Sequence, residues 1–400
     1  MILIPLMIIS SILAIIIGVL VGIVIGVVPG LHANTLSAII LAGGDNLEIS
    51  IFLFSMLVSS NIFDFLAACY LGVPEEGEIL VRMPLHKLLL NKRSLAGMRI
   101  VAMTSVMTYA IFLGVGFLLK DAIIALYDMI KGYAWLILAA ICMHLIIKEK
   151  NSRLALIFFT ISGLLGLITF NINLKDPFLP MLTGLFGIGS LLISGRKSEK
   201  IPTQMKKVVI DSDFFDLAKA SIIGILSSIV MALVPSMSPS QVGLLSEDVE
   251  GGKRSDERMI ASMSSINIAD LVLSLISLLT LGKGRSGVVE KIGTLLIIDS
   301  NNYFVLLFSG FLSCVLSSYL LVKSALWVSQ RTDWFNNRLL NIGVILFVSI
   351  LTVAIDGPVG IIILAVSTII GYLCDKNKIR KSQLLGCLVI PTIMFYLNFM

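Results

Sequence analysis

Charge is scarce in this 400-residue chain: Lys, Arg, Asp and Glu make up 14% of it, where a soluble domain carries about 25%. That shortage excludes a soluble enzyme and a disordered chain alike, because both need charge and polarity to stay in water. Histidine is limited to His32, His86 and His144, too scattered to suggest a metal-ligand cluster. Cys69, Cys142, Cys314, Cys374 and Cys387 form no C-x-x-C pair and lie in or beside apolar runs. They read as packing residues rather than a zinc site or a disulfide framework. G-x-S-x-G, H-E-x-x-H and P-loop motifs are all missing, so the chain reads as a non-enzyme with no cofactor. Its N-terminus lacks a basic stretch and a cleavage pattern, and the apolar run there reaches Val28, so a retained span is expected.

Apolar residues, by contrast, reach 57%, with a mean hydropathy of +1.00. Only helices and closed barrels satisfy their backbone in lipid, and the short alternating segments of a barrel do not occur. The fold class expected is an all-α polytopic membrane protein in the cell membrane. Candidate spans lie near 5–28, 49–72, 98–119, 133–147, 153–171, 178–194, 217–234, 258–281, 303–322, 338–355, 357–374 and 383–399. About 10–12 transmembrane helices follow, with 36–44 and 288–299 too short to cross alone and read as re-entrant or interfacial. Basic residues cluster at 82–99 (Arg82, Lys87, Lys92, Arg93, Arg99) and at 196–207, which the positive-inside rule makes cytoplasmic. The turn with Asp45 and Glu48 and the acidic-leaning 247–258 region are then expected outside. The basic 376–381 loop fits that count less well. Nucleic acid is not an expected partner of these basic loops, flanked as they are by membrane helices; the bilayer is.

An internal repeat carries most of the functional information. At an offset of 206, Gly18, Gly22, Gly26, Pro29 and Gly30 fall on Gly224, Ser228, Ala232, Pro235 and Ser236. In the same register Ser59, Asn61 and Asp64 fall on Ser265, Asn267 and Asp270; after a four-residue insertion Gly72 and Gly77 meet Gly282 and Gly287. The chain thus divides into two homologous membrane repeats, 1–200 and 201–400. The small-residue ridges read as helix packing. The Pro breaks, followed by His32, Asn34 and Thr35 in one copy and Ser236, Ser238, Ser240 and Gln241 in the other, read as a transporter site built on broken helices. Asp64 and Asp270 lie inside apolar segments, where a carboxylate costs at least about 2.5 kcal/mol. With Asn61 and Asn267 they offer hard oxygen ligands to a coupling cation, Na+ or H+. Asp64→Asn is expected to abolish cation dependence without unfolding the protein. Gly282-Lys-Gly284-Arg285-Ser286-Gly287 matches G-x-G-x-x-G but has no βαβ context, so a dinucleotide site is rejected. Arg285 is the residue there suited to an anion.

At Gly26-Val-Val-Pro29-Gly30-Leu-His32-Ala-Asn34-Thr35 and Leu71-Gly72-Val-Pro74-Glu75-Glu76-Gly77 the chain resembles the large membrane subunit family of the tripartite tricarboxylate transporters, in its archaeal branch. The likeness extends to Pro177-Phe-Leu-Pro180-Met-Leu-Thr183-Gly184-Leu-Phe-Gly187 and to Ser382-Gln-Leu-Leu-Gly386-Cys-Leu-Val-Ile-Pro391. Pro235-Ser236 departs from the usual Pro-Gly. The resemblance implies a secondary permease for carboxylates driven by a cation gradient. In bacteria it also implies an extracytoplasmic binding protein and a small membrane subunit as partners, whereas archaeal relatives acting alone are the other expectation. Pro29, Gly30, His32, Asn34, Thr35, Pro235, Ser236, Ser238, Ser240, Gln241 and Arg285 are the expected substrate-binding set. A polyprenyl-phosphate or related lipid translocase is the alternative, because its carriers also place a Pro-Gly break before small polar residues.

Overall fold

The computed structural model describes residues 3–28, 31–40, 46–70, 82–194, 202–205, 207–234, 236–249, 255–331 and 338–397. Among these every regular element is helical. Among the described residues eight helices are long and apolar enough to cross a membrane, and three shorter apolar ones accompany them, in keeping with a polytopic all-α fold.

The first helix, α1 (Leu3–Val27), stops where Pro29 and Gly30 follow, and α2 (Ala33–Ile39) then leads back towards α3 (Leu47–Tyr70). Helices α1 and α3 lie side by side and parallel. Ser10 donates to Glu48 at one end, Ser59 donates to the Val19 carbonyl in the middle, and Gly26 faces Ser60 and Asp64 at the other. The start of α3 therefore lies beside the start of α1, at the far end from Val27. Small residues permit this approach: a Cβ on Gly18 or Gly26 would lie 2.5 Å from the carbonyl oxygen of Phe52 or Ser60. The next elements are α4 (Arg82–Leu90), α5 (Ser94–Val115), α6 (Lys120–Ile130), α7 (Ala134–Ile147) and α8 (Ser152–Asn171).

A second pair repeats this arrangement. Helix α11 (Phe214–Leu233) packs parallel to α13 (Asp256–Leu281), with α12 (Pro239–Val249) in the returning segment. A Cβ on Gly224 would lie 2.6 Å from the Ser262 oxygen, and Ser228 donates to the Ile266 carbonyl. Gly18 to Gly224 is an offset of 206, yet the contact partners Phe52 and Ser262 differ by 210. The four-residue insertion therefore falls before the second helix of the pair, not after Asp64 where the sequence alignment places it, which shifts the register along that helix by about one turn. In the packing register Asp64 corresponds to Ser274 and Asp270 to Ser60, so the two Asn-x-x-Asp motifs do not occupy equivalent places.

The two pairs run in opposite directions. The Tyr70 hydroxyl at the end of α3 bonds to Ser94 at the start of α5, so α3 and α5 are antiparallel. Helix α5 is parallel to α13: Gly97 lies beside Ile260, Ser105 bonds to Ser264, and Gly116 lies beside Ile276. After α13 the chain dips back, with Arg285 N and Ser286 N donating to the Ser274 hydroxyl. It climbs out again as α14 (Gly287–Leu295), where Gly293 sits against Leu278. Residues 282–295 are thus re-entrant, as the short apolar piece suggested. Helix α15 (Ser300–Ser329) follows and, with α1, α3, α5 and α13, encloses the main core.

A second, smaller core lies between α8, the run formed by α9 (Phe178–Leu182), a π-helical turn at Thr183–Ile188 and α10 (Gly189–Ser194), and the last helices, α16 (Arg338–Lys376) and α17 (Gly386–Tyr396). Helix α16 is a hairpin. Gly357 has φ 68° and ψ −157°, and a Cβ on Gly360 would lie 2.9 Å from Thr352 Cγ2. Eight residues of continuous helix would separate these two by about 12 Å. The limbs on either side of Gly357 correspond to the expected spans 338–355 and 357–374. The glycines of the motifs near Thr183 and Cys387 mark close packing: Gly184 faces Ser367, and Gly386 faces the Phe159 carbonyl.

Charges gather at one end of the bundle. Lys87 pairs with Asp256 at 3.0 Å, and Arg93 pairs with Asp211 and with Glu257. The Asp211 hydrogen bond pushes the Arg93 pKa up. Gln204 accepts from Ser94 N and donates to the Leu89 carbonyl, and Arg99 donates to the Val208 carbonyl, binding the linker to the same end. The acidic 247–258 region was expected opposite the basic stretches. Instead Asp256 and Glu257 neutralise them, because Asp and Glu hardly influence the sidedness that Lys and Arg set. Arg380 lies 3.8 Å from Glu149. Buried Lys381 donates to the carbonyls of Leu185 and Phe186 and to Ser190 (2.6 Å), with Asp375 at 3.2 Å. Asp45 lies outside the described residues.

Candidate functional site

The end of α11, the re-entrant tip and α2 converge. Asp270 follows the start of α13 by 14 residues and precedes its end by 11, about 21 and 17 Å along the axis. Helix α11 stops at this depth, since Ser228 lies level with Ile266. Its last carbonyls have no partner within the helix, and Arg285 supplies one. Arg285 Nη1 donates to the Met231 carbonyl and, at 3.5 Å, to that of Val234, while Nε donates to Asp270 Oδ1 at 3.1 Å. A cation at a helix C-terminus also meets the favourable end of its dipole. Both side chains are mostly buried, 18% and 23% exposed. Asp270, expected to hold a cation with Asn267, is thus the counter-ion of Arg285.

The first half meets the second at the next residues. Asn34, in α2, accepts from Val288 N at 3.1 Å and lies against Gly287, in the first turn of α14. Asn46 N donates to the Leu295 carbonyl at the other end of α14. Helices α2 and α14 therefore lie alongside each other. Helix α2 has seven residues, too short to offer an anion site of its own, and the Asn34 carbonyl oxygen is already an acceptor. His32 sits at the N-cap of α2 in extended conformation without a side-chain cap bond.

Several expected ligands serve the backbone instead. Ser238 and Gln241 cap α12 reciprocally: Ser238 N donates to Gln241 Oε1, Gln241 N donates to Ser238 Oγ, and the Gln241 amide turns to Cys142. This is the capping box of S-x-x-Q, a bland use of residues that were expected to line a pocket. Ser240 is fully buried. Asn61 donates back to the Leu57 carbonyl of its own helix. Asp64 is buried, its Oδ1 3.0 Å from where a Cβ on Gly26 would stand. Pro29, Gly30, Pro235 and the whole Gly72–Gly77 segment lie outside the described residues.

Ser236 occupies the left-handed region at φ 55° and bonds to Thr392. The second break thus takes the conformation glycine favours, although the sequence departs from Pro-Gly. A left-handed non-glycine residue costs about 1 kcal/mol, so Ser236→Gly is expected to leave the melting temperature of the purified protein unchanged or raise it slightly. A fall of several degrees would mean that the Thr392 bond outweighs the backbone strain.

Sequence reasoning overlooked a chain of carboxylates. Thr35, expected to face substrate, donates to Asp176 Oδ2 at 2.6 Å. Asp176 Oδ1 accepts from Phe178 N and Leu179 N, and Asp176 N donates to Asp356 Oδ1 at the tip of the α16 hairpin. The Asp356-Gly357-Pro358 turn was the available signal. Among the described residues no group of three or more His, Cys, Asp or Glu could hold a metal ion.

Long apolar helices, with a mostly buried ion pair where α11 ends, describe a multi-pass membrane protein, and the family match makes it a transporter of the permease kind. The chain belongs to the tripartite tricarboxylate transporter TctA family, which matches residues 12–386. An uncharacterized protein of Methanocaldococcus jannaschii is 28% identical over 393 residues, covering 92% of this chain and 95% of the relative, in keeping with the archaeal branch. No solved structure matches.

Proposed function

We propose that the chain is a secondary permease for small organic anions, carboxylates above all, driven by a Na+ or H+ gradient. The supporting observation is Arg285, a guanidinium held at mid-depth where the α11 break, the re-entrant tip and α2 meet. Arginine offers a planar fork that matches a carboxylate, and a charge kept at such depth is a functional expense. The division into repeats 1–200 and 201–400 agrees with the paired packing of α1 with α3 and α11 with α13, and their opposite directions suit alternating access around a central site. The three-part family name supports an extracytoplasmic binding protein and a small membrane subunit as partners.

A lateral cavity of about 550 Å³ favours the second reading, a polyprenyl-phosphate or related lipid translocase. Its lining is largely apolar, from Met103 and Met107 on α5, Phe214 and Leu217 on α11, and Tyr319 and Val322 on α15. Proteoliposomes separate the two readings. Labelled succinate or citrate entering under an imposed Na+ or pH gradient supports the permease. A flat carboxylate trace together with movement of a short polyprenyl phosphate between leaflets supports the translocase.

A further inference from the structure

Asp270 holds Arg285 by a single bond, Oδ1 to Nε, and among the described residues Nη2 donates to nothing. The Nε–Nη2 edge of a guanidinium accepts a carboxylate by two parallel bonds. An arriving carboxylate that uses both makes a stronger contact than the aspartate does. Asp270 therefore has the chemistry and the position of a tethered substitute for substrate.

Displacement has an electrostatic consequence. Arg285 and Asp270 together are neutral, and Arg285 with a substrate carboxylate is neutral again, which leaves Asp270 ionised and alone. No other charged side chain among the described residues bonds to it, and α11 presents only the carbonyls of Met231 and Val234 nearby. A lone carboxylate at this depth costs at least about 2.5 kcal/mol by insertion scales and is neutralised rather than tolerated. We propose that Asp270 is a built-in competitor for the anion site on Arg285, and that its release makes the binding of each substrate anion demand one monovalent cation at Asp270. This rests on the carboxylate-permease reading and adds to it the device that ties anion to cation. Arg285 is the anion-binding residue; Asp270 sets the coupling.

The test is calorimetric titration of citrate and succinate into the purified full-length protein, in sodium chloride and in choline chloride at one pH, with proton uptake followed in weak buffer. For the native chain, sodium is expected to strengthen binding, or else one proton enters per anion. Asp270→Asn keeps an oxygen acceptor for Nε and removes only the charge. Its affinity in choline should rise about tenfold over the native value, with neither sodium dependence nor proton uptake. Asp270→Ser, a second variant with an acceptor, should behave alike should the first not fold. Retention of the native cation dependence by either folded variant overturns the inference and leaves the permease reading intact. Failure of the native protein to bind any carboxylate overturns both.

Discussion

Arg285→Met will destabilise the protein by about 3 kcal/mol, because it strands one half of a mostly buried ion pair. It removes two things at once: the counter-ion of Asp270 and the donor on the open carbonyls of Met231 and Val234. The first loss is electrostatic and the second is not, so the double variant Arg285→Met with Asp270→Asn separates them. Neutralising Asp270 should recover more than half of the fall in melting temperature, and the rest belongs to the uncapped end of α11. Carboxylate binding should remain at least about tenfold weaker in both variants, given the usual worth of a charged hydrogen bond. An unchanged melting temperature in the single variant would mean that the pair is solvated and does not sit at depth.

Gly22→Ala is the second large effect expected. A Cβ there would fall inside the van der Waals distance of the Met56 carbonyl oxygen and of Ser59 Cβ. Backbone cannot step aside as a flexible side chain does, so α1 must separate from α3. Overpacking of this kind costs about 1–3 kcal/mol, and the top of that range is expected because the neighbouring contacts at Gly18 and Gly26 open with it. Gly114, in α5 with open space around it, is the control: Gly114→Ala should be neutral or gain about 0.5–1 kcal/mol from helix propensity. Equal losses at both positions would show that the α1–α3 ridge is not a close contact.

Much of this was legible in the sequence, and the parts that were not share a cause. Scarce charge and long apolar runs gave the membrane bundle, and spaced glycines with a following proline gave two interrupted helices. Asp270 stood out as a carboxylate in an apolar segment, and Arg285 as the residue of a polar glycine-rich loop suited to an anion. Their pairing did not, because an insertion of four residues is close to one helical turn. It keeps the same helix face, so Asn61 and Asp64 match Asn267 and Asp270 nearly as well as the true packing partners do. Only the contacts of Gly18 and Gly224 fix the register. Ser238 and Gln241 show a different ambiguity, since a polar residue after a helix break suits a cap as well as a ligand. Asp176 and Asp356 were hidden because they sit between spans, where a carboxylate has no need of explanation; their bond to each other is a long-range fact.

The central claim is that the opposed helix breaks build one anion site on Arg285. Thermal melting of the purified protein with citrate, succinate and a short polyprenyl phosphate, each with and without sodium, tests it most directly. A ligand at about 100 times its dissociation constant adds about 2.7 kcal/mol of stability. The account predicts a rise with a carboxylate, larger in sodium or at lower pH, that vanishes in Arg285→Met. Stabilisation by the lipid phosphate alone, or a carboxylate effect that survives the loss of Arg285, would contradict it.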